Sequence, residues 1–532
     1  MKHLLLSFIC FSPLLFHAQT NKFSFKMGQE YDLPRKTEDL AFVGSDQDGI
    51  VNLSLKKEEL TFLRFDPQSL RKTAERPVDL SVTRNFNTEE VVAMQGKYYW
   101  IHSDWDKDAG KELLFYDKLD VKNGKIVESN HKMLENTKLA GTYAAMTGFY
   151  SYKVTGKYNF RYDADKKLLL VSYRFNPEEK NDKKSYDKIG LQVFDENMNK
   201  IWGNEYTMPY TEAVMDNSDF SIDGNGNAYM LAKVYDSDRR KEVDKATGKP
   251  GYQYELMEFM KGNKNILKIP VRIDDYFVNE PSLIESPTHD MVVAFSYSKK
   301  YVRGGTDGIF LARIENGKLT KFRDGYYEFP VDEMEKYESR RTVKKMEKAD
   351  DYEGTNIYIR NIIADPDGGI FVALEDYKVT SRTYTSSSGS SSTYYTYLYN
   401  NMYAAKISGA SGKMEWFRKI PKRQTGSDGT GSMGFKLITD AAGYYFLFLD
   451  NKKNLELETD DEPAKHIDGK GGQLVVAKLD KAGKLTKEIL FDTRDEDVKV
   501  FPTQFDKFNK NQFIGRAQLK KTLFQPLLIT VN

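Results

Sequence analysis

Short apolar runs recur along the chain, each followed by a turn of Asp, Asn, Gly or Pro and then by a lysine-bearing strand. The stretch QLVVAKLDKAGKLTKEILF, from Gln473 to Phe491, shows the plan in one hairpin. Tight turns draw on these residues because Gly reaches positive φ without strain, while Asp and Asn hydrogen-bond their own backbone. With that template the chain divides into eight units. The first pairs 40–55 with 59–80, the second 91–103 with 113–129, the third 159–175 with 189–208, and the fourth 219–235 with 254–271. The fifth pairs 281–298 with 308–322, the sixth 359–377 with 402–420, and the seventh 434–450 with the Gln473 hairpin. The eighth has 503–519 but only 524–532 after it, one strand short. Unit spacing of roughly fifty to eighty residues is the range of propellers and solenoids.

The second strand of most units is apolar on both faces, as at 168–171, 291–295, 370–374 and 444–449. A strand with one wet face would alternate, so these runs must be covered on both sides. Local hairpins forming sheets covered on both faces predict an all-β chain, a β-propeller of about eight four-stranded antiparallel blades, with seven as the alternative count. Residues 22–33 form an orphan strand with no hairpin partner. Pairing it beside 524–531 completes the eighth blade, closes the ring and removes both open edges. Tandem β-sandwiches would leave that strand unexplained, and an outer-membrane barrel needs alternating strands of about ten residues.

Met1 to Gln19 reads as a cleaved secretory signal, with Lys2, an apolar stretch over 4–16 interrupted by Pro13, and Ala18 near the cut. That leaves 20–532 as one propeller domain and predicts an exported protein: periplasmic, outer-membrane-associated or extracellular. The single cysteine, Cys10, falls inside the signal, so the mature chain has no disulfide to form. Its flanks are a poor lipidation signal. The 532 residues carry 79 Lys and Arg against 78 Asp and Glu, interspersed, which gives no electrostatic footprint for nucleic acid. No later run is long enough for a transmembrane helix. Oligomeric state leaves no readable mark.

Two insertions interrupt the repeat. Residues 331–350, VDEMEKYESRRTVKKMEKAD, are a surface helix or solvated loop, and 377–400 is a Ser/Tyr-rich loop around SSSGSSS. In a four-stranded blade the first–second and third–fourth turns share one face of the ring, and the other connections share the opposite face. Here the first class is short and the second long, so the long loops all project from one face, where binding and catalysis concentrate. Trp105, Phe175, Tyr235, Tyr297 and Tyr377 end second strands near that face. They are candidates to stack on a ligand, with capping of the blade interfaces as the plainer role. No metal is expected. Asp223-Gly224-Asn225-Gly226-Asn227 alternates oxygen ligands, but lacks the Gly and Glu of a calcium loop and reads as a hairpin turn. Asp365 to Gly368 is likewise a turn, and the acidic runs at 460–462 and 495–497 are solvated loops. His102, His131, His289 and His466 stand singly and read as loop histidines. There is no G-x-S-x-G elbow, phosphate loop or cofactor motif.

The strand-turn-strand plan resembles exported β-propeller proteins of Gram-negative bacteria, whose signals end in AQ as residues 18–19 do here. The resemblance spans 22–532 and is one of pattern. The Gly-His and Trp-Asp marks of WD40 blades are missing, apart from a lone Trp105-Asp106. It implies architecture and export but no activity. The expectation is therefore a non-enzymatic binding or scaffold protein holding a protein or glycan on the long-loop face. The alternative is a carbohydrate-active hydrolase or lyase with carboxylates at the central channel. An enzyme should show a deep pocket with convergent carboxylates or a histidine, and a binder a broad aromatic patch with few perturbed groups.

Overall fold

The computed structural model describes residues 22–80, 86–137, 139–143, 154–177, 184–273, 275–302, 304–315, 317–349, 354–385, 391–427, 429, 431–469 and 471–532. The expected signal and Cys10 lie outside them. Antiparallel sheets follow one another along the chain. Blades 1 to 7 span 38–79, 87–136, 158–211, 215–271, 277–328, 357–420 and 436–492. Blade 8 is built from short inner strands at Lys499–Val500 and Asp506–Lys507, then Gln512–Gln518 and Leu523–Val531, and its outer strand is Phe23–Met27 from the other end of the chain.

That last pairing is the expected closure. Phe23 lies opposite Val531, Phe25 opposite Ile529 and Met27 opposite Leu527, and Tyr31 continues the pairing at Phe524. The fold is thus an eight-bladed β-propeller shut by its own N-terminal strand.

Burial explains why the second strands carry no polar face. Met291–Ser298 and Gly443–Asp450 are buried along their whole length. Successive side chains of a strand point to opposite faces. Accordingly Tyr445, Leu447 and Leu449 enter the core between blades 7 and 8, while Tyr444, Phe446 and Phe448 enter the core between blades 6 and 7. Each junction has such a core, and the one between blades 8 and 1 joins Tyr31, Leu33 and Leu528 to Ile50, Phe65 and Leu70.

The turns follow one device. An Asp ends the strand and accepts from backbone N–H groups two and four residues on: Asp195 from Asn197 and Asn199, Asp223 from Asn225 and Asn227, Asp480 from Ala482 and Lys484. Both Asp223 oxygens are engaged, the second by Asn227 Nδ2 and the Tyr229 hydroxyl, as in a hairpin turn. Glu285 adds a clamp across three blades. It accepts from Ala164 N and Gly224 N, both at 2.5 Å, and from the His289 ring at 2.8 Å.

Both insertions are ordered over their described residues. Val331–Glu335 and Arg340–Ala349 are helical. Residues 377–400 differ from the loop the sequence predicts. Strand Ile370–Thr385 runs on against Ser391–Ile407, with pairing out to Thr385 and Ser391. Alternating Tyr and Thr favour extended backbone strongly enough to carry the hairpin beyond the blade. The tip, 386–390, lies outside the described residues. No helix among the described residues is long and apolar enough to cross a membrane.

Candidate functional site

Three insertions distant in sequence meet on the long-loop face. The blade 6 ribbon supplies Asp376, Leu398, Asn400 and Asn401; the helical segment supplies Tyr337 and Glu338. The blade 7 loop 451–472 supplies Glu462 and Lys465. Between them runs Lys422 to Thr425, and the group encloses a cleft of about 260 Å³. Backbone bonds fix the walls. Gln424–Gly426 pairs with Tyr397 to Tyr399 on one side and, in parallel, with His466–Ile467 on the other. Tyr337 N donates to Thr459 O at 2.6 Å, tying the helical segment to the blade 7 loop.

Charge is built into the floor. Lys422 is fully buried and pairs with Glu375, which also accepts from Arg360 Nε at 2.9 Å. A buried cation survives only when paired and hydrogen-bonded, and here Gln424 Oε1 lies 3.3 Å away as a second acceptor. Lys419, also buried, donates to Met334 O at 2.8 Å and Glu338 Oε1 at 2.6 Å. Burial lowers the pKa of both lysines, against the pull of their carboxylate partners.

Asp376 is the acid of the cleft. It sits where the register shifts between Glu375 and Tyr377, so an extra residue turns its side chain out of the ladder. Burial pushes its pKa up to about 6. The charges of Glu338 and Glu375 add to the rise, and the Asn400 amide, donating at 3.1 Å, and Lys422 oppose it. At the rim Arg423 Nη1 donates to Glu462 Oε2 at 3.2 Å. The cleft thus offers an acid balanced between its two forms near pH 6, two further carboxylates, fixed cations and several amides.

The five aromatics do not converge. Tyr297 is fully buried, stacked 5.0 Å from Tyr276. Phe175 is buried against Tyr173, and Tyr235 against Tyr252 with Arg240 over its ring. Trp105 is 37% exposed at the end of blade 2. Tyr377 alone lies by the cleft, half-buried, between Tyr358 and Tyr399 with Arg360 over it. Two histidines expected in loops are buried. His102 lies inside strand Lys97–Asp106 against Asp117, at 3.3 Å, and His466 bridges to Gln424. Sequence reasoning passed over Asp376, Lys422 and Glu338. The readable signal was a charged pair, Glu375-Asp376, ending an apolar strand that should have stayed apolar or turned.

No protein-family model and no curated protein sequence matches this one. Solved structures do share its fold. The β-propeller domain of the Trilobed protease from Pyrococcus furiosus is 10% identical with a TM-score of 0.34, the match covering 86% of this chain and 99% of that one. The acylaminoacyl peptidase of Pyrococcus horikoshii is 11% identical with a TM-score of 0.32, covering 94% and 57%. Prolyl oligopeptidase B from Galerina marginata is 7% identical with a TM-score of 0.38, covering 93% and 55%. The chain therefore spans little more than half the length of those last two. At such identities the likeness is one of fold.

The expected function is corrected. The three solved propellers named above belong to peptidases, rather than to scaffolds or carbohydrate-active enzymes. The long-loop face gathers carboxylates, cations and amides in one cleft, where Asp376 is held above the usual carboxylate range, and the ribbon beside it exposes Tyr384, Tyr394 and Tyr395. A non-enzymatic scaffold, with a carbohydrate-active enzyme as its alternative, is not retained.

Proposed function

We propose that this chain is a peptidase-related propeller, exported as its N-terminal pattern suggests, whose blade 6–7 cleft receives a peptide in a peptide-processing system. One observation carries the reading: Asp376, with a pKa near 6, shares a cleft with Glu338, Arg423 and Lys465. A peptide brings an amino group, a carboxylate and a row of amides. Asp376 and Glu338 suit the first, Arg423 and Lys465 the second, and Asn400, Gln424 and Thr425 the third. An acid with a pKa near 6 changes charge close to neutrality, which suits proton transfer or pH-gated binding.

The test is calorimetric titration with short unblocked peptides, alongside cleavage of fluorogenic peptides, from pH 5 to 8. Saturable binding with a pH midpoint near that of Asp376 is expected. Arg423→Ala should weaken it about tenfold, about 1.4 kcal/mol, and Asp376→Asn should abolish the pH dependence. Absence of both binding and cleavage, or binding indifferent to both substitutions, overturns the reading.

A further inference from the structure

On the far side of Lys465, which lines the cleft, lies a second cavity, about 320 Å³, lined among others by Asn451, Lys452, His466, Gln473 and Arg494. It differs from the cleft in holding unpaired polar atoms. His466 is 3% exposed, and its Nε2 has no hydrogen-bond partner; Gln473 Oε1 is buried and equally unpaired. Leaving such an atom buried and unsatisfied costs about 1–3 kcal/mol, so two in one cavity point to a guest that completes them.

The cavity is assembled by a glycine pair. Gly471 and Gly472 have φ of 72° and 111°, where a Cβ is strained. A Cβ on Gly471 would overlap the Arg494 side chain, and one on Gly472 would stand 2.8 Å from His466 Nδ1. Only glycines therefore let Arg494 and His466 close on the same space. Thr493 holds the turn in place, its N and Oγ1 both donating to Gly472 O at 2.9 Å. His466 is held from the other side by its backbone N–H, which donates to Arg423 O at 2.8 Å. Arg494 is exposed, and its side chain has no carboxylate partner among the described residues. Lys452 and Lys465 add two cations, against one carboxylate, Asp492, whose Oδ1 accepts the Arg494 backbone N–H.

We propose that this cavity is a binding site for a small ligand bearing a carboxylate or phosphoryl oxyanion, held by Arg494, His466 Nε2–H and the Gln473 amide. Arginine presents a planar fork that matches either oxyanion. A neutral histidine donates from one ring nitrogen, and the Gln473 amide turns to offer its NH₂. The site shares Lys465 with the cleft, but Arg494, His466 and Gln473 belong to it alone, and it stands without the peptide reading.

The experiment uses the whole folded protein with inorganic phosphate in one arm and acetate in the other, chloride balancing ionic strength. Histidine ring resonances and thermal shift are the readouts. A saturable shift of the His466 ring, with a rise in Tm, is expected for at least one anion, and the anion with the lower midpoint identifies the chemistry. Arg494→Ala, a surface change that leaves the fold intact, should raise that midpoint at least about tenfold. Gln473→Glu should repel the anion to a similar degree. No saturable response to either anion, or a response undiminished in Arg494→Ala, overturns the proposal. Peptide binding in the cleft of the Arg494→Ala protein reports on the other reading independently.

Discussion

Two side chains on the long-loop face bend the pH dependence of stability in opposite directions. Burial lifts Asp376 from 3.8 to about 6, so the folded state holds its proton more tightly than the unfolded state. That contribution is complete below pH 3.8 and is lost as pH rises to about 6. Burial first, then the charges of Lys422 and Arg494, pull His466 down from 6.5 to about 4, against the charge of Asp468. Its contribution is complete above pH 6.5 and is lost as pH falls to about 4. A tenfold change in proton affinity is worth about 1.4 kcal/mol, so each group contributes on the order of 2–3 kcal/mol at its own end of the range, and the two pH dependences nearly cancel. Urea unfolding of Asp376→Asn should therefore show stability climbing between pH 4 and 6.5, while His466→Gln should show it falling over much the same window. Parallel pH profiles for the two variants would mean that neither group is buried as described. Lys422 gives a further residue-scale test. Lys422→Met leaves Glu375 buried with only Arg360, and should cost roughly 3–5 kcal/mol in denaturant unfolding.

At the scale of the element, the Asp-led turn and the strand apolar on both faces were legible, because both are local. A turn announces itself within five residues, as at Asp480 to Lys484, and a twice-covered strand within eight, as at Gly443–Asp450. The aromatics Phe175 and Tyr297 end such strands, and the strand's coverage on both sides carries them into blade cores. The cleft was illegible for the opposite reason. Its residues come from 337–338, 376–401, 422–425 and 462–465, and no periodicity links them. Only the register shift at Asp376 and the docking of the blade 7 loop bring them together. The same contrast gives a prediction for the Glu285 clamp. Glu285→Ala removes the acceptor of two backbone N–H groups on neighbouring blades and the partner of His289. It should cost about 2 kcal/mol and speed amide exchange at Ala164 and Gly224 while leaving blades 6 to 8 unchanged. Uniform acceleration around the ring would show that Glu285 does not act locally.

At the scale of the molecule, stability rests on a closed circuit. Each blade is a thin sheet that buries its faces only against two neighbours, so a ring missing one junction leaves two apolar faces and an unpaired edge in water. The junction between blades 8 and 1 is the one the chain must close by bringing its ends together. Phe23 packs in the blade 7–8 core, 5.0 Å from Tyr445, and Tyr31 and Leu33 in the blade 8–1 core. Removing residues 22–33 should strip both cores and expose the edge of Leu523–Val531. Light scattering should then show self-association, and thermal unfolding should broaden or split. A synthetic peptide KFSFKMGQEYDL added in trans should reverse both effects, because strand addition to an open edge needs only backbone pairing and matching pockets. The complementary experiment locks the ring. Ser24 and Thr530 are Cα partners across the closing pair, and Cys10 is the sole native cysteine. Ser24→Cys with Thr530→Cys, oxidised, would tether nearly the whole chain and should stabilise it by about 3–5 kcal/mol over the reduced form. If truncation left a monomer with an unchanged transition and the crosslink added nothing, the eight blades would be held by their neighbours alone, and the ends would be ornament.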